Sequence, residues 1–463
     1  MDAKDRRIAE LEKRVAELEA LLKAALEEIA RLNGLLSKNS SNSSKPPSSD
    51  IVKPPKGKGK RKRKIGAQKG HKTNFRTPFE QHQIDQTVEL ALEACPKCGG
   101  ELETTNEPPQ KHQQVELVAK PFIVTEYQQS KYWCGKCQCH HTAKLPAEVW
   151  RGGFFGKNLI ALTAYLKGRS HMSFTTLQDF YADALGIKVS RGFLTKQIRK
   201  ASEALLRTYD DLVAQLKKED HLHSDETGGK ENGKRRWTWC FRTRDFTVFH
   251  IDPSRGSEVL EKILGKDFAG KISCDFFSAY RKFAKESKAT LLHCWAHLIR
   301  EVRFLSESKD KKVARWGERL LDAIGKMFKT IHRQDDLQCC VWFRRMQKHR
   351  ESILKDAWHR LPKDNNDAWN LAVRLWNEQE SYFRFIEEDL PATNNLCEQS
   401  IRRVVLNRKI TQGTRSDWGN RWWERIWTIL ATCQQQGKNV MEFLQTAVES
   451  FLQRRSPPTL RSG

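Results

Sequence analysis

The chain is 463 residues long, 38% hydrophobic and 30% charged, and carries a formal net charge of +25. That balance excludes packed core throughout, and the length suggests about two to four domains. It implies a polyanionic partner, nucleic acid ahead of an anionic membrane surface, and no apolar run approaches the roughly 18 residues that cross a bilayer.

The first residues, MDAKDRRIAELEKRV, contain no apolar signal core, so a soluble, cytoplasmic, nucleoid-associated protein with no membrane partner is expected. Twelve cysteines in that setting favour metal ligation or buried thiols over disulfides. Residues 1–36 place Ile8, Leu11, Val15, Leu18, Leu22, Ala25, Ile29, Leu32 and Leu36 at alternating steps of three and four. This is the seam of a coiled-coil oligomerisation helix, with β-branched residues at several a positions and Leu at most d positions favouring two strands. One amphipathic helix docked on its own protein is the alternative.

Residues 37–79 form a polar, then basic, linker arm. SKNSSNSSKPPSSD cannot bury enough surface to fold. From Ile51 to Phe79 there are eleven Lys or Arg and no acids, centred on Lys60, Arg61, Lys62, Arg63 and Lys64. Such an arm tracks phosphates without reading bases. Residues 80–150 carry CPKCGG and WCGKCQCHH, so that Cys95, Cys98, Cys134 and Cys137 form two CxxC pairs. Two such knuckles complete one tetrahedral, structural Zn²⁺ site in a zinc-ribbon domain, with Cys139, His140 and His141 as spare ligands. The β-prone insert between the pairs is expected to form a hairpin.

Residues 151–215 read as helices. After one helix in GKNLIALTAYLKG, a second and third flank a turn at Gly186 and Ile187, and Ser190 can cap the third. This pattern fits a helix-turn-helix DNA-binding domain presenting Arg191, Lys196 and Arg199, although a plain helical hairpin would look similar. Residues 216–310 change to a β-β-β-α-β-α-β-α order, with strands in HLHSDETG, RRWTWCFRT, FTVFHI, GKISCD and ATLLHCW. Residues 311–388 form a helical insertion, 389–450 return as helices, and in the tail 451–463 the residues from Arg454 are expected to lack structure.

Asp225 ends the first of these strands and Asp275 the fourth. In a sheet of three antiparallel strands continued by parallel ones, strands one and four are neighbours, so these acids would meet at one edge. Glu398 lies on a predicted helix with Arg402, Arg403, Arg408 and Lys409. Three converging carboxylates suit two Mg²⁺ or Mn²⁺ ions, hard cations that prefer oxygen and promote in-line phosphoryl transfer. The cations on the same helix would then contact DNA phosphates. Turns favour Asp, however, and Glu226 competes with Asp225.

HSDETG, CDFFSAY followed by HCWAHLIRE, and NNLCEQSIRR together resemble the corresponding blocks of IS66-type bacterial insertion-sequence transposases. The heptad segment, the polar–basic arm and the CPKCGG ribbon resemble that family too, so the likeness covers nearly the whole chain. The resemblance implies a DDE transposase: a multidomain α+β protein whose RNase H-like mixed α/β catalytic core is interrupted by a helical insertion. Its catalytic, Mg²⁺-binding acids would be Asp225, Asp275 and Glu398. It also implies cleavage at element terminal inverted repeats, 3′-OH strand transfer to target DNA, at least a dimer, and accessory proteins encoded beside it. Cys397-Glu398-Gln399 departs from the family's usual Ala-Glu-Arg, and the segment after Arg408-Lys409 departs as well, which puts the DNA contacts in doubt rather than the acids.

Other candidates have plainer readings. Cys294 and His297 form CxxH after the fifth strand, but two or three ligands do not complete a metal site, and a structural role is expected. His221 and His223 share a strand face with Asp225 and are expected to be solvated or core. Trp422, Trp423 and Trp427 could stack on an extruded base, yet Trp at helical spacing is more often core. The rival function is a dimeric zinc and helix-turn-helix DNA-binding regulator without catalysis, and a third reading is a structure-selective nuclease.

Overall fold

The computed structural model describes residues 3–37, 78–90, 92, 94, 97–101, 111–118, 120–146, 149 and 153–460. Lys60 to Lys64 and Cys95 lie outside the described residues. The chain divides into two compact units, one of Lys56–Gln128 and one of Met1–Pro55 with Gln129–Gly463. In the smaller unit, a 3-10 turn at Gln81–Gln83 is closed by a reciprocal cap between Glu80 and Gln83. The Gln113 amide holds both backbone groups of Phe79, at 2.8 and 2.9 Å.

The larger unit begins with α1 (Ala3–Ser37). Ile8, Leu11, Val15, Leu18, Leu22, Ile29 and Leu32 are all exposed along it. A hairpin follows, β1 (Lys131–Cys134) with β2 (Cys139–Thr142), in which Cys134 pairs with Cys139. The hairpin therefore brackets the second CxxC pair. The described residues of 111–130 carry no strand, which corrects the expectation that the insert between the knuckles pairs with itself.

Three helices come next: α2 (Lys157–Arg169), α3 (Phe174–Leu185) and α4 (Arg191–Leu216). Ser173 and Ser190 cap α3 and α4 through their hydroxyls, and Gly186 ends α3 in the left-handed conformation that glycine tolerates. The sheet is built from β3 (His221–Glu231), β4 (Lys234–Arg242), β5 (Thr247–Asp252), β6 (Lys271–Cys274) and β7 (Thr290–His293). Its order is β5-β4-β3-β6-β7. The first three strands are antiparallel, and β3, β6 and β7 run parallel. Asn232 and Gly233, both at positive φ, turn β3 tightly into β4, as an Asn-Gly hairpin requires. Helices α5 (Ser257–Leu264) and α6 (Ser278–Glu286) provide the crossover connections.

Beyond α7 (Trp295–Ser306) the chain leaves the sheet for α8 (Lys311–Ile331), α9 (Cys339–Trp358), α10 (Asn366–Asn377), α11 (Gln379–Phe383) and α12 (Phe385–Glu388). This excursion has its own apolar core, including Trp295, Trp316, Met346, Leu375 and Phe383. The indoles of Trp295 and Trp316 donate to the carbonyls of Tyr382 and Ala357, at 2.6 and 3.0 Å.

The chain returns in α13 (Asn395–Thr411), α14 (Asp417–Gln435) and α15 (Val440–Leu452). Helix α14 covers the edge of the sheet. The backbone N–H groups of Thr247, Phe249 and Ile251 on β5 donate to the side chains of Thr432, Thr428 and Glu424, at 3.2, 3.0 and 2.6 Å. Four helical residues rise about 6 Å and two strand residues about 6.7 Å, so the two ladders stay in step. The edge donors that would otherwise invite another strand are thereby satisfied. The segment after α15 corrects the expectation of an unstructured tail through Leu460. Leu460 is buried, and the carbonyls of Pro458 and Leu460 accept from Thr208 and Gln436.

Candidate carboxylate site at the centre of the sheet

Strand alternation sorts the acids of HSDETG. His223, Asp225 and Thr227 share one face of β3, and Ser224 and Glu226 share the other. The first face meets α13: Thr227 accepts from Arg408 at 3.1 Å, and His223 pairs with Asn394 at 3.0 Å. The second meets α6. Glu226 is buried there, accepting two bonds from Arg255 at 2.9 and 2.6 Å and one from the Tyr280 hydroxyl at 2.7 Å. This separates the two acids that sequence left in competition.

Asp275 follows the last residue of β6. The parallel register pairs His221, Leu222 and His223 with Lys271, Ile272 and Ser273. Continued by two residues, it sets Asp225 and Asp275 level on neighbouring strands, about 4.8 Å apart by sheet geometry. Asp275 caps the bend that leaves the sheet, accepting the Phe277 N–H at 3.0 Å.

Glu398 arrives on the first turn of α13, and several contacts set that helix. Asn394, 1% exposed, donates to the Ser224 carbonyl at 2.8 Å, pairs with His223, and directs its own N–H to the Cys294 sulfur at 3.1 Å. Arg242 donates to Ser400 at 2.9 Å. At the far end Arg408 also donates to the Gly228 carbonyl. The loop beyond α13 bonds to the hairpin end, Thr414 N–H to the Lys230 carbonyl and Asn232 N–H to the Thr414 carbonyl, both at 2.9 Å. Gly413 makes this approach possible, since its φ is +108° and a Cβ there would collide with the Lys230 carbonyl.

The electrostatics reflect this convergence. Burial, then the charges of Glu226, Asp275 and Glu398, raise Asp225 well above the ordinary carboxylate range. Burial and the Glu226 charge push Asp275 up to about 7. Glu398 Oε2 accepts from Arg300 at 3.2 Å, and Oε1 lies 3.7 Å from His297 Nε2. Burial lowers His297, and burial holds His221 and His223 down at about 4, so the latter pair is neutral at pH 7. His221 faces Ser273 at 2.9 Å, which makes both strand histidines packed, bonded groups.

The remaining candidates divide. Cys134 and Cys137 come together with His141, a spare ligand in the sequence reading, while Cys98 is exposed in the smaller unit. The amide N–H of Cys137, first among the causes, lowers the Cys134 thiol, as in a metal knuckle. Arg191, Lys196, Arg402 and Lys409 are exposed, and Arg199 lies over the Trp418 ring at 5.1 Å. Arg403 donates to Gln434 at 2.9 Å, and burial lowers it to about 10. Trp422, Trp423 and Trp427 are buried, so their spacing reflects core. Sequence reasoning missed Asn394 as the link between β3, α7 and α13, although the Asn-Asn pair before an apolar helix was a cap signal.

One carboxylate within β3, a second just beyond β6 and a third on α13 thus gather at one place, apart from a Cys/His cluster at Cys134, Cys137 and His141. Residues 152–421 match the Transposase IS66 family, and residues 93–138 match the zinc-finger binding domain of transposase IS66. The chain belongs to the IS66 transposase family. Residues 2–77 match a family of unknown function. The chain is 22% identical over 403 residues to the uncharacterised protein y4qI of Sinorhizobium fredii, covering 80% of this chain and 73% of that one. It is also 22% identical over 358 residues to the uncharacterised y4hP of the same organism, covering 69% and 64% of the two. No helix among the described residues is long and apolar enough to cross a membrane.

Proposed function

We propose that this protein is a DDE transposase that cuts DNA at the ends of its element and joins the freed 3′-hydroxyl to target DNA. The observation that carries the reading is the parallel register of β3 and β6, which, continued two residues, sets Asp225 level with Asp275 just beyond β6, beside the helix that bears Glu398. The order β5-β4-β3-β6-β7, with α8–α12 set between it and the helix of the third acid, supports reading this part as an RNase H-like core with a helical insertion.

The donor set fits hard divalent cations. Asp225 is half-buried among like charges with no basic side chain bonded to it among the described residues, and a cation offsets that repulsion. Bound there, two Mg²⁺ or Mn²⁺ would supply activation of the attacking oxygen and stabilisation of the leaving oxygen at phosphorus. Asn394 and Arg408 hold α13 in register, and Arg300 orients Glu398. Exposed Arg402 and Lys409 supply phosphate contacts beside the acids. Helices α3 and α4 act as the helix-turn-helix, with Arg191, Lys196 and Arg199 facing DNA and Arg199 braced on Trp418. Cys134 and Cys137, with His141 beside them, serve as ligands for structural Zn²⁺. The exposed apolar seam of α1 pairs two protomers, as the joining of two element ends requires.

The test is strand cleavage and strand transfer on the element's own end DNA with Mg²⁺ or Mn²⁺, comparing wild type with Glu398→Ala. Metal-dependent nicking and joining in the wild type should disappear in the variant while end binding persists. Binding without cutting by either protein would favour the regulator, and cutting that survives Glu398→Ala would remove Glu398 from the acid set.

A further inference from the structure

Cys294, His297 and Glu398 bring one sulfur, one ring nitrogen and one carboxylate oxygen within 4.8 Å of one another. Three features make this more than proximity. Cys294 is the N-cap of α7, and the backbone N–H groups of Asn394, His297 and Ala296 face its sulfur. Burial pushes this thiol up to about 11 even with these amides, which pull toward the thiolate, the form that ligates metal; a bound cation would complete the shift. Next, Glu398 Oε1 is buried without a hydrogen-bond partner. It lies 3.7 Å from His297 Nε2, too far for a hydrogen bond. Two light-atom ligands of one tetrahedral ion stand roughly 3.3 Å apart, so a small closure seats both on one metal. Finally, the His297 side chain is 14% exposed and that of Glu398 21%, which leaves a path for an ion from solvent.

We propose that Cys294, His297 and Glu398 form a soft-metal site, suited to Zn²⁺ with solvent as fourth ligand, and that its occupation withdraws Glu398 from Asp225 and Asp275. One thiolate, one carboxylate and a neutral imidazole balance the charge of a divalent ion. Thiolate ligation selects Zn²⁺ over Mg²⁺, so the hard and soft ions would compete for one glutamate. The second half of the proposal rests on Glu398 being the third acid of the transposase reading. Zinc would then hold the enzyme off while leaving the finger's zinc in place.

The experiment uses the full chain equilibrated with Zn²⁺ and washed of loose metal, with bound zinc counted per protein. Cys294→Ser and, independently, His297→Gln should each hold about one equivalent less than wild type, and the finger's content cancels in that difference. Co²⁺ in place of Zn²⁺ should give a thiolate-to-metal absorption increment that Cys294→Ser lacks. Equal metal content and equal Co²⁺ spectra in all three proteins would overturn the site. Zinc should also suppress Mg²⁺-dependent cleavage by wild type about tenfold or more relative to its own zinc-free rate. Loss of one zinc in both variants with no zinc effect on wild-type cleavage would leave the metal site standing. It would overturn the withdrawal of Glu398, whose place among the catalytic acids is tested separately by Glu398→Ala.

Discussion

Asp275→Asn should make the metal-free protein more stable at pH 8. Burial and the Glu226 charge lift the Asp275 carboxyl from 3.8 to about 7. At roughly 1.4 kcal/mol per pH unit, holding it ionised in the fold costs at most about 4 kcal/mol, and less where Asp225 shares the repulsion. The sign follows from linkage. The folded state keeps this proton to higher pH than the unfolded state, so stability falls as pH rises from about 4 to about 7 and the full penalty applies above that. Asn carries no such charge and can still accept the Phe277 N–H through its amide oxygen. Thermal unfolding in Mg²⁺-free buffer should place the variant a few degrees above wild type at pH 8, with the gap closing toward pH 4. Added Mg²⁺ should then raise the wild type more than the variant. A variant that melts at or below wild type at pH 8, or a gap that does not change with pH, would refute the account of a cation-dependent acid pair.

Other perturbations test the supports of the site. Glu226→Ala leaves the Tyr280 hydroxyl and Arg255 without their partner and should cost about 2 kcal/mol in denaturant unfolding, discounted because Arg255 is partly exposed. Cleavage should survive this change, and its loss in a folded variant would place Glu226 among the catalytic acids. Asn394→Ala removes the link from α13 to His223, Ser224 and β3; cleavage should fall about tenfold or more while end binding, measured by gel shift, is retained. Deleting residues 1–37 uncouples the exposed seam of α1, and light scattering should then report a monomer; a mass unchanged from the full chain would place the oligomer contact elsewhere.

Several features of this protein were legible in its residues because they depend on local order. The heptad from Ile8 to Leu32 falls on one continuous helix, since period and propensity act within a few turns. The strands of residues 221–293, the caps at Ser173 and Ser190, and the Asn-Gly turn of β3 into β4 follow from alternation and turn chemistry that neighbours alone set. Asp225, Asp275 and Glu398 could be named as candidates because the pattern set two acids at strand ends and one among cations; β3 in fact runs on past Asp225 to Glu231, because its pairing with β4 continues to the Asn-Gly turn. Family membership was legible too, from blocks whose order survives along the chain.

What the tertiary structure decided are the matters that depend on which faces meet. Glu226 is turned toward Arg255 and Tyr280, and Asp225 toward α13, because β3 is covered on both sides and each face has different neighbours. The described residues of 111–130 are β-prone yet form no strand, since propensity without a cross-strand partner forms no ladder. Leu460 is buried, its segment held by hydrogen bonds from Thr208 on α4 and Gln436 at the end of α14 that no local rule announces. Asn394 joins α13 to β3 and α7 across 170 and 100 residues of chain, and Cys294 and His297 reach Glu398 only because α7 and α13 begin side by side. Such contacts close long loops, so their energetics belong to the packed fold rather than to any stretch of sequence.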